Sequence, residues 1–186
     1  MKHWLLLTGL SWTLAAVPPG PPLVGLGRPV QAGSGWRSAT GLRVGSAAPA
    51  FRLQNLAGQP VSLADFRGKV VYLDFWYSGC RPCLAEAPAA ARLRRQFRHR
   101  AVVFVGISVD TQVELWRRTV AEHALDGPGT VHLLDPEGYR AVRPYGIQGY
   151  PTYWIIGRDG RIWYGDAPRP SEEPQQLLAQ ALAARP

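Results

Sequence analysis

The chain has 186 residues, 46% of them hydrophobic and 18% charged, with a formal net charge of +8. That composition supports a buried core; it excludes a disordered polyampholyte and leaves no room for two full domains. Two cysteines are too few for a multi-disulfide scaffold.

Met1-Lys2-His3 precedes an uncharged apolar run from Trp4 to Val17, the pattern of a secretory signal. As a helix this run spans roughly 21 Å, short of the roughly 30 Å hydrocarbon core of a bilayer. Pro18, Pro19, Pro21 and Pro22 forbid its continuation. Val30-Gln31-Ala32 is a candidate peptidase site. The expected organisation is a signal peptide or uncleaved anchor at 1–32, a Gly/Ser/Arg-rich linker at 33–43, and one folded domain at 44–186. The expected location is extracytoplasmic, in a periplasm or cell envelope, with membrane contact only if the N-terminal segment stays uncut.

Within the domain, Phe51–Leu53 and Val61–Leu63 read as strands around an Asn55–Pro60 turn. Val70–Phe75 is a near-continuous apolar run, as in a buried central strand. Ala87–Phe97 favours helix, and Ala101–Val109 is a second strand run. Thr111-Gln112-Val113-Glu114 has capping-box spacing and predicts a helix to about Leu125. A short strand at Val131–Leu134 and a helical turn at Tyr139–Tyr145 follow. Thr152–Ile156 and Arg161–Tyr164 flank Asp159-Gly160 as a hairpin. A last helix is expected from Ser171, mainly Gln175–Ala183. This alternation predicts an α/β layered domain. Arg92, Arg94, Arg95, Arg98 and Arg100 read as the solvated face of a helix rather than a phosphate patch, so no nucleic-acid partner is expected.

The chemistry concentrates at Cys80-Arg81-Pro82-Cys83, directly after the buried strand and at the start of a helix. A helix N-terminus stabilises a thiolate through its free N–H groups and dipole, and Arg81 adds a positive charge. The two-residue spacing brings both sulfurs within disulfide reach. Cys80, at the exposed edge, is the expected attacking thiolate, and Cys83, more buried, the resolving thiol. Half of a zinc site and a purely structural disulfide are the alternatives. His3, His99, His123 and His132 supply no paired ligands for the first, and so short a loop makes the second weakly stabilising.

Asp74-Phe75-Trp76-Tyr77-Ser78-Gly79 and the following CxxC resemble the active-site segment of thioredoxin-fold proteins. Gly149-Tyr150-Pro151-Thr152 resembles their cis-proline loop. Val44-Gly45, Pro49-Ala50-Phe51, Asp65–Lys69 and Cys83–Pro88 are similar to the exported TlpA/ResA-like branch. The resemblance runs from about Val44 to about Leu182. It implies a thioredoxin fold with a central mixed sheet flanked by helices, an N-terminal strand extension, and a helix–strand insertion before the cis-proline loop. It implies no cofactor beyond a redox-active Cys80–Cys83 disulfide, and no metal.

By the same resemblance, Pro151 is the cis-proline beside the disulfide, and Gly149 and Tyr150 present backbone to an extended substrate segment. Asp74 is a buried acid for proton transfer, its pKa raised by burial. Glu86, one turn past Cys83, tunes the pair or moves protons; a plain surface glutamate is the bland alternative. Pro88 kinks the helix, Trp76 shields the site, and Arg81 and Pro82 face the partner. Gly79 departs from the tryptophan usual before the first cysteine, which is expected to open the face beside Cys80.

The implied activity is an exported thiol–disulfide oxidoreductase that reduces disulfides of partner proteins. Candidate partners are apocytochrome c or copper-site assembly factors, with a membrane thiol as electron donor. Peroxiredoxin-like peroxidase and non-enzymatic copper carrier are the alternatives. The segment before Cys80 lacks the threonine and proline of the first, and the cysteine spacing is too narrow for the second.

Overall fold

The structure, a computed structural model, describes residues 41–138 and 140–184. The expected signal segment, and the linker up to residue 40, lie outside the described residues. Among the described residues no helix is long and apolar enough to cross a membrane.

Seven strands form one mixed sheet. They are β1 (Arg52–Asn55), β2 (Pro60–Ser62), β3 (Val70–Trp76), β4 (Val102–Ser108), β5 (Thr130–Leu134), β6 (Thr152–Ile156) and β7 (Ile162–Tyr164). The spatial order is β2-β1-β5-β4-β3-β6-β7. The centre, β5-β4-β3, is parallel. β6 and β7 continue it antiparallel on one side, β1 and β2 on the other. β3 and β4 are covered on both faces, which is why they read as unbroken apolar runs.

Alternation along the strands divides the core into two layers. Val71, Leu73 and Phe75 of β3 join Val103, Val105 and Ile107 of β4 and Trp154 and Ile156 of β6 on one face. Phe51, Leu63, Phe66, Ala141 and Tyr145 close that face. Val70 and Tyr72 point the other way, with Val102, Phe104, Tyr153 and Ile155. That second face is covered by α2 (Ala87–Phe97) and α4 (Gln175–Ala183) through Leu93, Phe97, Leu178 and Ala181. Asp74, Gly106 and His132 share its orientation by register.

Two short helices complete the frame: α1 (Arg81–Ala85), ahead of α2, and α3 (Val113–Glu122), between β4 and β5. The insertion expected before the Pro151 loop is thus α3 and β5. Its capping box does not form: Gln112 is the N-cap and makes no side-chain cap. Trp116 and Val120 on the buried face of α3 pack into the cluster with Trp76 and Leu134. The expected helical turn before Tyr145 is a run of turns over 140–146. Asp135 holds it, its carboxylate accepting the N–H groups of Arg140, Ala141 and Val142. Ser171 lies in a separate 3-10 turn, Pro170–Glu172, ahead of α4.

Candidate active site

β3 delivers the chain to the site and α1 receives it. Tyr77–Gly79 make the connection, and Asp110 fixes it. The Asp110 carboxylate accepts the Ser78 N–H (3.1 Å), the Ser78 hydroxyl (2.8 Å) and the Ser108 hydroxyl (2.6 Å). The loop before Cys80 is therefore tied to the end of β4.

Cys80 is the N-cap of α1, and its Sγ accepts the Cys83 N–H at 3.2 Å. A sulfur held there faces the unpaired N–H groups of a helix start, which favours its anionic form. Pro82, inside the first turn, has no N–H to leave unpaired. Cys80 and Cys83 are joined by a disulfide with their Cα atoms 5.2 Å apart. Arg81 and Pro82 are exposed.

Cys80 is not the exposed edge residue expected: it is 3% exposed and Cys83 7%. The cause is packing. Both sulfurs lie in a cluster with Trp76, Trp116, Val120 and Leu134, and Tyr150 packs against it. Nor does Gly79 open the face beside Cys80. A Cβ on Gly79 would stand 3.1 Å from the Tyr77 ring, so that ring occupies the space a side chain would take. Tyr77 meets Tyr150 edge-on, ring centroids 5.4 Å apart.

The β3–β6 register pairs Phe75 with Thr152 and so sets the 149–151 turn beside the end of β3. The Tyr150–Pro151 bond is cis. Gly149 is exposed, and its carbonyl accepts the Thr152 hydroxyl at 2.7 Å.

Glu86 is not a surface glutamate. It is 9% exposed and sits at the break between α1 and α2. Pro88 lacks the N–H that would continue the helix, consistent with a break at that point. The Glu86 carboxylate accepts the Ser171 N–H at 2.9 Å and the Ser171 hydroxyl at 2.8 Å. The kinked helix is thereby tied to the turn before α4.

Behind Cys83 lies a cavity of about 50 Å³. Asp74, Glu86, Arg94, His132 and Tyr153 line it together with Cys83. It has room for about three water molecules. Asp74 Oδ1 is buried without a hydrogen-bond partner. Burial, and next the Glu86 charge, push the Asp74 carboxyl up to about 7, while Arg94 pulls the other way. His132 is pushed down to about 4, chiefly by burial. Burial also lowers Arg94, with Asp126 and Asp74 opposing that shift.

Arg94 corrects the reading of the basic helix. Arg92, Arg95 and Arg98 are solvated, but Arg94 is 7% exposed, and its Nη2 donates to the Ala124 carbonyl at 3.3 Å. Its spacing from Leu93 and Phe97 places it on the apolar stripe of α2, a signal available in the sequence. His132, for which the sequence suggests only a metal-ligand role, lines the cavity. Among the described residues no group of three or more His, Cys, Asp and Glu is placed to hold a metal. Asp110 carried no signal, because its partner Ser78 belongs to another strand end.

A model of the AhpC/TSA family matches residues 44–164. The thioredoxin-like protein YneN of Bacillus subtilis is 34% identical over 128 residues, 68% of this chain and 72% of that protein. The thiol-disulfide oxidoreductase ResA of Bacillus thuringiensis is 28% identical over 121 residues, 65% of this chain and 68% of that protein. Among solved structures, the thioredoxin domain of a thiol-disulfide oxidoreductase from Bacteroides vulgatus is similar at TM-score 0.63 and 29% identity. That match covers 74% of this chain and 93% of the other.

Proposed function

The chain belongs to the AhpC/TSA family, has a thioredoxin fold and is a thiol–disulfide oxidoreductase, and we propose that Cys80 and Cys83 are its redox pair, reducing disulfides of partner proteins outside the cytoplasm. The observation that carries this reading is the disulfide-linked pair at the start of α1, with the Cys83 N–H on Cys80 Sγ and a carboxyl-bearing cavity behind.

In this reading the Cys80 thiolate attacks one sulfur of a partner disulfide. An S–S bond forms to Cys80, and the partner's other sulfur leaves as a thiolate. Cys83 then gives its proton to the Asp74 carboxylate and attacks Cys80 Sγ. The Cys80–Cys83 bond closes and the partner's second sulfur departs, so the partner gains two electrons and the pair loses two. Asp74 suits this step because a carboxyl poised near neutrality takes and returns a proton readily. Glu86 tunes Asp74 through its charge.

Gly149, Tyr150 and Pro151 offer an edge to an extended partner segment. Trp76 shields the sulfurs from below, and Arg81 and Pro82 meet the partner from the exposed turn. Partners are thiol- or disulfide-containing exported proteins, with apocytochrome c and copper-site assembly factors as candidates. A membrane thiol donor returns the pair to the dithiol state. Residues 1–32 act as a signal or anchor and 33–43 as a linker to the 44–186 domain.

The equilibrium reduction potential of the pair, read by thiol trapping in dithiothreitol or glutathione buffers, tests the direction. A value near that of thioredoxin, about −270 mV, is expected; one near about −120 mV would make the protein an oxidant and overturn the proposal.

A further inference from the structure

A single register row crosses four strands of the sheet. Tyr153 of β6 pairs with Asp74 of β3, Asp74 with Gly106 of β4, and Gly106 with His132 of β5. All four positions face the cavity behind Cys83. Three of these residues bring polar side chains; Asp74 Oδ1, Tyr153 Oη and His132 Nδ1 are buried with no hydrogen-bond partner, and the outer side of the His132 ring meets the Leu125 backbone. Orphaned buried polar groups are costly, and a cluster of them around a cavity is the setting in which water is retained.

Gly106 separates Asp74 from His132 without filling the gap. A Cβ there would stand 3.2 Å from His132 Nδ1 and 3.2 Å from Trp76 Nε1. The Nδ1 edge of His132 thus faces Gly106 and, beyond it, Asp74. The Nε2 edge faces outward, 4.0 Å from Asp126 Oδ1, and the Asp126 side chain is 66% exposed. The ring spans the wall between the cavity and a solvated carboxylate. Trp76 from β3 lies edge-on to it, Arg94 from α2 and Asp126 with Leu125 from the segment after α3 act on it directly, and Asp74, Glu86 and Tyr153 share the cavity.

We propose that His132 and Asp126 form the outlet by which the proton taken from Cys83 leaves the interior. This rests on the assignment of Cys83 as the resolving thiol and Asp74 as its proton acceptor. Resolution leaves a proton on Asp74. It passes through cavity water to His132 Nδ1, while the proton on Nε2 passes to the Asp126 carboxylate once that exposed side chain turns to shorten the 4.0 Å gap to hydrogen-bond distance, and then to solvent. His132 is neutral at the start, and rotation or tautomer exchange through the same waters resets it. No electrons move in this step, and the reverse sequence supplies the proton when the disulfide is reduced. His132 touches no sulfur and acts only through Asp74. A histidine that stays neutral suits such a relay, since it receives and passes a proton without holding one.

The full-length reduced protein is mixed with an aromatic disulfide, dithiobis-nitrobenzoate, in a stopped-flow instrument. The first coloured thiolate reports attack by Cys80, the second resolution by Cys83. His132→Gln is expected to slow the second release by roughly 100-fold, the lower end of general acid–base effects, without slowing the first. In His132→Ala, added imidazole should restore the second release in proportion to its free base. Asp126→Asn, an exposed change that leaves the core alone, should slow the same step. Gly106→Ala should do so as well, by wedging a methyl into the gap.

Wild-type second-release rates in both His132→Gln and Asp126→Asn overturn the outlet. If His132→Gln does not fold, a wild-type rate in Asp126→Asn overturns it alone. Asp74→Asn separates the two readings. If it slows the second release while the outlet variants do not, only the outlet falls. If it too leaves the rate unchanged, the Asp74 assignment falls and the outlet with it.

Discussion

At Asp74 burial and the Glu86 charge push one way and Arg94 the other, and burial wins, leaving the carboxyl near 7 instead of its ordinary 3.8. A carboxyl raised on folding favours the protonated native state. Its contribution to stability is therefore complete below about pH 4 and is lost as pH rises through 7. Asp74→Asn removes that dependence. The stability of the variant relative to wild type should rise between pH 4 and pH 8 by on the order of 2–4 kcal/mol, read from urea midpoints. A pH-independent difference would mean that Asp74 is not buried as described. Arg94→Gln should raise the Asp74 pKa further, seen by carbon NMR of the carboxyl, and Arg94→Lys should restore it in part. At the sulfurs themselves, Cys80→Ser should abolish disulfide exchange, whereas Cys83→Ser should accumulate a mixed disulfide detectable by mass spectrometry. Full turnover in Cys83→Ser would reverse the two roles.

Among the elements, the junction from β3 to α1 depends on a residue from neither. Asp110 gathers Ser78 and Ser108 at the end of β4. Asp110→Ala leaves those buried donors unsatisfied and should cost about 1–3 kcal/mol. It should also slow attack by Cys80, because the Tyr77–Gly79 loop loses its anchor; an unchanged attack rate with lowered stability would confine Asp110 to a structural role. The α1–α2 break works similarly. Proline at 88 makes a break there compatible with the sequence, and the Glu86–Ser171 hydrogen bonds hold it to the turn before α4.

Across the whole molecule, the layer carrying α2 is interrupted by a polar row. The row Tyr153, Asp74, Gly106 and His132 would break the core if the cavity did not take it up. The proposed export belongs at this scale too. Mass spectrometry of the mature protein should find a new N-terminus near residue 33, or an intact Met1 in the membrane fraction. Met1 on a soluble cytoplasmic form would refute export.

The order of strands and helices was legible in the sequence, because apolar period and turn chemistry are properties of neighbouring residues. β3 and β4 announced themselves as unbroken apolar runs, and Asp159-Gly160 as a hairpin turn. The CxxC pair was legible for the same reason, its two sulfurs being one helical turn apart. The stripe position of Arg94 was legible as well; the burial of Cys80 and Glu86 was not, nor was the place of His132. Those follow from the cluster that α3 packs over Cys80, from the 3-10 turn at Ser171 that holds Glu86, and from a register that aligns four strands. Sequence spacing sets which face of its own element a residue occupies. Only the packed sheet decides what that face meets.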